Sequence, residues 1–403
     1  MRILYLTPYL PSPVRVRPYQ FIRHLAALGH EVTLVCLAAR GEEPAARAEL
    51  RRWCHEVVVV PGTARQAAWQ ALRAIPSTQP LQVAYGISSA LGAAARQRAD
   101  WCDVVHVEHL RGSSYGAALR GYPCVLDAVD CISLLFERVL RQSHSLAGRA
   151  RALLDLARTR KAEGRYGALF RQIVVTSAED RWALRQLQDA RCPAPQIDVI
   201  PNGVDLAAFS PAPERMREPA TLVLSGKMSY HANTTAALWL GQVIMPLIWR
   251  ERPDVRCLIV GRGPTAAVRA LAADQRITVT GDVPAVAPFL QRATLAVVPL
   301  RYGVGIQNKA LEAMATATPV VATPQAACAL DVVPGYEMML AATPAHFAAT
   351  VLELLGNQTA RHALGEAGRH YVERNHDWHH SAERLVKCYA QAGARLAERE
   401  IVC

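Results

Sequence analysis

RILYLTPYLPSPVRVRPYQFIRHLAALGHEVTLVCLA, residues 2–38, decides the fold class. It opens on a β-rich apolar run, RILYLT, ended by proline, and an irregular proline-flanked segment follows. Phe21, Ile22, Leu25 and Leu28 then fall on one helical face, and Gly29 supplies the stop. EVTLVCLA is a second strand. Strand, helix and strand on such short joints make a βαβ unit, which requires a parallel sheet. The rhythm continues outward through EVVVVPG, a helical stretch, DVVHVEH, PCVLDAVD, a long arginine-rich helical segment, QIVVTS, another helix and IDVIPNG. This predicts a doubly wound α/β domain over residues 1–203.

From residue 204 the texture changes. VDLAAFSPAPERMREPA holds three prolines and no sustained period, so it reads as a linker. The alternation restarts with TLVLSG, a helix TTAALWLGQVIMPLIWRE, VRCLIVGRG, ITVTG, LAVVPL, a helix from about Asn308, PVVAT and then mostly helix. A second α/β domain over 204–385 follows. Two such domains on a short linker leave a cleft between the carboxyl ends of their strands, where ligands of this fold class bind.

Composition narrows the class. A chain of 403 residues, 51% apolar, has the length of two domains and can bury their cores. Its ten cysteines form no CxxC pair and several lie inside strand-like runs, the usage of a reducing compartment. The proline-broken N-terminus is no signal peptide and no run approaches a membrane span, so a cytoplasmic location is expected. Forty-five Lys and Arg against 34 Asp and Glu give +11, which favours anionic partners.

PLRYGVGIQNKALEAMATATPVVAT, residues 299–323, is the richest stretch. It runs from a strand end through a glycine loop into a helix. Gly303 and Gly305 let the backbone approach a ligand, and the amides of Val304, Gly305, Ile306 and Gln307 present an anion site at a helix N-terminus. Lys309 and Glu312, three apart, share a helical face. A lysine for a phosphate and a carboxylate for a ribose diol are what a nucleoside diphosphate needs; the bland alternative is a surface ion pair. In LSGKMSYHAN, the Gly226 turn places Lys227 at a strand end, where it is either a phosphate ligand or a solvated lysine. Asn202 and Gly203 form a turn at the domain junction. The backbone around Val283, after Gly281, is placed to edge a base.

On the N-terminal side Arg15 and Arg17 follow the first strand. His106, Glu108 and His109 lie at another strand end, and Asp127 and Asp130 at a third. His109 is preferred to His106 because it sits at the carboxyl end, where an acceptor would be activated. HVEH and HDWHH lack metal-site spacing, so no metal is expected. The basic stretch 137–171 is either a solvated face or an amphipathic contact with an anionic membrane. No nucleic-acid motif is present.

LTPYLPSP, HLAALGHEVTLV, DVVHVEH, VVTSAEDRWAL, VIPNGVD, LIVGRGP, VTGDV, the 299–323 stretch and NHDWHHSAERLVKCY, in that order, resemble a family 4 glycosyltransferase of the GT-B architecture, in a branch with a GIQNK-type donor loop. The resemblance implies a metal-independent, retaining enzyme of glycan or polysaccharide synthesis that binds a nucleotide sugar mainly on its C-terminal domain. It implies no other cofactor, and an acceptor bound mainly on the N-terminal domain. By it, Glu312 binds the ribose, Lys227 and Lys309 the diphosphate, and 303–307 the phosphate and sugar. The last helix, 386–403, returns to the first domain. Three departures stand out: Val304 replaces a glutamate, Ala232 lies where a second basic residue is usual, and Val14-Arg15-Val16-Arg17 replaces a glycine pair. The rival readings are a sugar-nucleotide epimerase and a non-catalytic, membrane-docked nucleotide-sugar binder.

Overall fold

The computed structural model describes residues 1–38, 44–142, 146–213, 217–302 and 305–402. Two units emerge: Met1–Pro201 together with Trp378–Cys403, and Asn202–Asp377. Among the described residues the first unit carries seven strands: β1 (Arg2–Thr7), β2 (Glu31–Ala38), β3 (Glu56–Pro61), β4 (Val104–Glu108), β5 (Cys124–Val129), β6 (Gln172–Val175) and β7 (Gln196–Val199). They lie in the order β3-β2-β1-β4-β5-β6-β7, all parallel. β1 is buried throughout except its first residue, as a central parallel strand covered on both faces must be. The order reverses between β1 and β4, which places a binding crevice at the carboxyl ends of those strands.

The second unit repeats the plan with β8 (Thr221–Ser225), β9 (Arg256–Val260), β10 (Ile277–Gly281), β11 (Leu295–Val298), β12 (Val320–Ala322) and β13 (Met339–Leu340). Their order is β10-β9-β8-β11-β12-β13, again all parallel, with its switch point between β8 and β11. The two residues of β13 carry no periodicity of their own and were not foreseen.

Two expectations need correction. The returning segment is the whole helix Trp378–Val402, not 386–403 alone, because the fully buried Trp378 packs edge-on against Phe21 in the first unit's core. The helix expected from TTAALWLGQVIMPLIWRE is α-helical over His231–Trp239 and Met245–Trp249 but π-helical over Leu240–Ile244, just ahead of Pro246, which has no N–H to give. The arginine-rich segment is helical as expected, over Ile132–Gln142 and Leu146–Glu163.

Candidate functional site

In the second unit the strand ends at the switch point carry the chemistry. Gly226 leaves β8 at φ +143°; a Cβ there would meet Asn233 Nδ2 at 2.9 Å and Lys309 Cε at 3.2 Å. Gly261, after β9 at φ +135°, lies so close that a Cβ would fall 2.0 Å from the Gly226 carbonyl oxygen. Two glycines thus let adjacent strand-end turns nest. Lys227 follows with an exposed side chain, its carbonyl accepting from Asn233 Nδ2 at 3.0 Å.

Asn233 is the connecting residue that sequence reasoning passed over. Its Oδ1 accepts from Lys309 Nζ at 2.8 Å, and Gln307 Oε1 accepts from the same ammonium at 3.3 Å. The ammonium therefore reaches the β8 turn from the neighbouring helix, Asn308–Ala315. Ala232, the departure from the usual second basic residue, is buried in the core, and the Lys309 ammonium reaches the adjacent Asn233. Burial lowers the Lys309 ammonium to about 8, with Glu312 opposing, and raises the Glu312 carboxyl to about 7, with Lys309 opposing.

Gly305 takes φ +65° just before this helix, and Ile306 is buried. Gly303 and Val304, expected donor-loop residues, lie outside the described residues. Asn202 Nδ2 donates to Asn308 Oδ1 at 3.3 Å, so the VIPNG turn, Gly203 included, stands beside the helix N-terminus. His376 ties down the same turn: its Nδ1 donates to the Asn202 carbonyl at 2.8 Å and its backbone carbonyl accepts from Val204 N. The HDWHH histidine is thus a strut. Among the described residues no three His, Cys, Asp or Glu side chains converge as a metal site. Val283 is half-buried beyond the β10 turn. His231 and Tyr302, also unforeseen, stack and share a 2.9 Å hydrogen bond across the β8 and β11 ends.

In the first unit Glu108, the last residue of β4, pairs with Asp127 near the end of β5. Beyond each, the backbone turns to positive φ at a non-glycine residue, His109 at 65° and Val129 at 67°. A β-branched residue in that region is rare and marks a strained strand end. His109 Nδ1 accepts from the Arg111 amide at 3.2 Å, so the ring proton sits on Nε2. Burial, and then the charge of Arg111, depress the ring to about 3. His109 is therefore a neutral hydrogen-bond donor, suited to orienting an acceptor rather than removing its proton. His106 is core: it stacks on Tyr5 at 4.0 Å, and its Nδ1 shares a 2.9 Å hydrogen bond with Tyr389.

Arg17 and Asp127, expected to meet substrate, meet each other instead. Arg17 Nε donates to Asp127 Oδ2 at 2.7 Å, with both side chains almost wholly buried, and Arg17 Nη1 donates to the Ile200 carbonyl. The pair locks β5 to the helix Val16–Ala27 and is a correction to the sequence reading. Asp130 accepts from Thr176 at 3.0 Å and is raised to about 7 by burial and then by Asp180. Glu108 accepts from Tyr9 at 2.7 Å and from Tyr5 at 3.2 Å, and burial lifts it to about 8. Arg15 lies over the Tyr9 ring at 4.8 Å. The signal for the Tyr9–Glu108 contact was absent from local sequence, since its members lie 99 residues apart. Ion pairs partly neutralise the 137–171 stretch: Arg160 pairs with Glu137 inside it, and Arg138 and Arg165 pair with Glu179 and Asp189 beyond it.

Both units have matches among known proteins. Residues 14–208 match "Glycosyltransferase Family 4" and residues 219–357 match "Glycosyl transferases group 1". A GDP-mannose-dependent monoacylated alpha-(1-6)-phosphatidylinositol monomannoside mannosyltransferase of Corynebacterium glutamicum is 26% identical over 53% of this chain and 61% of its own length. An MMP alpha-(1->4)-mannosyltransferase of Mycolicibacterium hassiacum is 28% identical over half of each chain. The matched stretch thus spans about half to three-fifths of these curated relatives. Among solved structures, sucrose-phosphate synthase from Thermosynechococcus elongatus superposes with a TM-score of 0.71 at 18% identity, covering 98% of this chain and all of the other. Anabaena HepE in complex with UDP-glucose superposes at 0.64 and 14% identity, covering 99% and 100%. At such identities the structures show the fold alone. On two parallel-sheet Rossmann-like units, then, the chain is similar to family 4 glycosyltransferases over residues 14–208 and to group 1 glycosyl transferases over residues 219–357.

Proposed function

We propose that the chain transfers a hexosyl group from a nucleoside diphosphate sugar to an acceptor hydroxyl, with retention and without a metal ion. The observation that carries this is the Lys309 ammonium, held by Asn233 over the Gly226–Lys227 turn with Glu312 one helical turn behind. Two cations and a helix N-terminus suit a diphosphate, and Glu312 suits the ribose diol. In the step proposed, the bond between the sugar's anomeric carbon and the diphosphate oxygen breaks. The acceptor oxygen bonds that carbon from the same face, and its proton passes to the departing phosphate. Lys227 and Lys309 stabilise the charge growing on the leaving group, the kind of preorganised electrostatics worth about 3–4 kcal/mol per group.

His109 Nε2 and Asp130 orient the acceptor. Both curated relatives are mannosyltransferases by name, which favours a mannosyl donor; one of them acts on an acylated phosphatidylinositol mannoside, which favours a lipid-linked acceptor. The test is calorimetric titration of GDP, UDP, dTDP and ADP, with a chelator present, into wild type and Glu312→Ala. One nucleotide should bind tightly and lose most of its affinity in the variant. Equal affinity in the two proteins would refute the donor site.

A further inference from the structure

Two helices of the first unit that play no part in the proposed site expose an unusual surface. The helix Ala64–Arg73 leaves Trp69 65% and Leu72 59% exposed, and Ile75 just beyond it is exposed as well. The helix Leu146–Glu163 leaves Leu146 81%, Leu153 71% and Leu154 46% exposed. These are one surface, because Arg158 stitches them together. Its guanidinium donates to the Leu154 carbonyl within its own helix and to the Ile75 and Ser77 carbonyls beyond the other. Asp155 also accepts from the Leu81 amide at 2.9 Å.

Cations surround the apolar side chains. Arg65 and Arg73 on the first helix and Arg149, Arg151 and Lys161 on the second are exposed. The first helix contains no acid, and the two acids of the second, Asp155 and Glu163, are buried inward. A tryptophan and leucines set among cations, with no outward carboxylate, is the composition of a surface that lies in the headgroup region of an anionic bilayer. A second copy of this chain fits it poorly, since pairing would bring like charges together. The surface also leads toward the β4 end. Arg111, two residues past His109, feels the charges of both Arg151 and Arg15, and lies over the half-exposed Tyr85 ring at 5.5 Å.

We infer that this helix pair docks the protein on an anionic lipid bilayer, with Trp69, Leu72, Leu153 and Leu154 entering the interface and the arginines meeting lipid phosphates. The inference is independent of glycosyl transfer, since vesicle binding is read without donor or acceptor. The experiment is co-sedimentation with phosphatidylcholine vesicles, with and without phosphatidylglycerol. Wild type should bind only the anionic vesicles, and binding should weaken as salt is added. Arg149→Glu/Arg151→Glu should weaken it by more than about 25-fold, from roughly fivefold per basic residue lost. Trp69→Ala/Leu153→Ala should weaken it as well, and both variants should keep the wild-type circular dichroism and melting temperature because every substituted side chain is exposed. Failure to bind anionic vesicles, or binding equal in wild type and variants, would overturn the inference. So would a dimer in solution that Trp69→Ala/Leu153→Ala dissociates.

Discussion

Glu312→Gln is expected to make the unliganded protein more stable near neutral pH while removing its donor affinity. Burial raises the Glu312 carboxyl from an ordinary 4.5 to about 7, so the folded protein holds this proton more tightly than the unfolded chain does. Wild-type stability therefore falls as pH climbs between those values. At 1.36 kcal/mol for each tenfold change in proton affinity, the full ionisation penalty is about 3 kcal/mol. Glutamine has nothing to ionise and escapes it. The variant gives back part of the gain, because Lys309 loses the neighbouring charge that opposes its own depression. A net advantage of about 1–2 kcal/mol at about pH 7.5, vanishing toward about pH 5, is the expected outcome. Urea denaturation of both proteins across that range measures it, and calorimetry with the cognate nucleotide reads the accompanying loss of binding. A stability gap that stays constant between the two pH values would refute the reasoning. Glu312 would then be an ordinary solvated carboxylate and not a strained ligand waiting for a ribose.

Other outcomes follow from the same geometry. Asn233→Ala removes the acceptor that holds Lys309 and the donor to the Lys227 carbonyl, so nucleotide affinity should fall about 10–100-fold, from the 1.5–3 kcal/mol of a hydrogen bond to a charged group. Titration of nucleotide into the variant measures this, and an unchanged affinity would detach Asn233 from the site. Nucleotide affinity should rise as pH passes about 7, where Glu312 ionises, and fall above about 8, where Lys309 loses its proton; binding isotherms across that range test the shape. Arg17→Met strands Asp127 in the core and should cost about 3–5 kcal/mol, whereas Arg17→Met/Asp127→Leu should recover most of it. Denaturation midpoints decide the matter, and a fully stable Arg17→Met would show that the pair does not hold β5.

Periodicity alone determined much of this protein. The residue 2–38 βαβ unit, the two parallel sheets and the carboxyl-end position of Lys227, Lys309, Glu312 and His109 all follow from alternation, glycine turns and helix spacing, which are local. What neighbours across the sheet do to those groups was not legible. Arg17 and Asp127 lie 110 positions apart, and nothing in either segment says that they neutralise each other. Asn233 sits inside a quoted motif, yet its role exists only because the helix from Asn308 brings Lys309 back to the β8 turn. The boundary at Trp378 was hidden for the same reason: a helix's apolar stripe tells that it is buried, not which core buries it. The basic segment 137–171 showed its charges but not that ion pairs consume several of them. Its exposed leucines form a surface only with Trp69 and Leu72, some 80 residues earlier, which Arg158 joins to them. Local spacing fixes which backbone forms. Which charge is paired, which is desolvated and which faces out depends on long-range packing, so only the tertiary structure decided it.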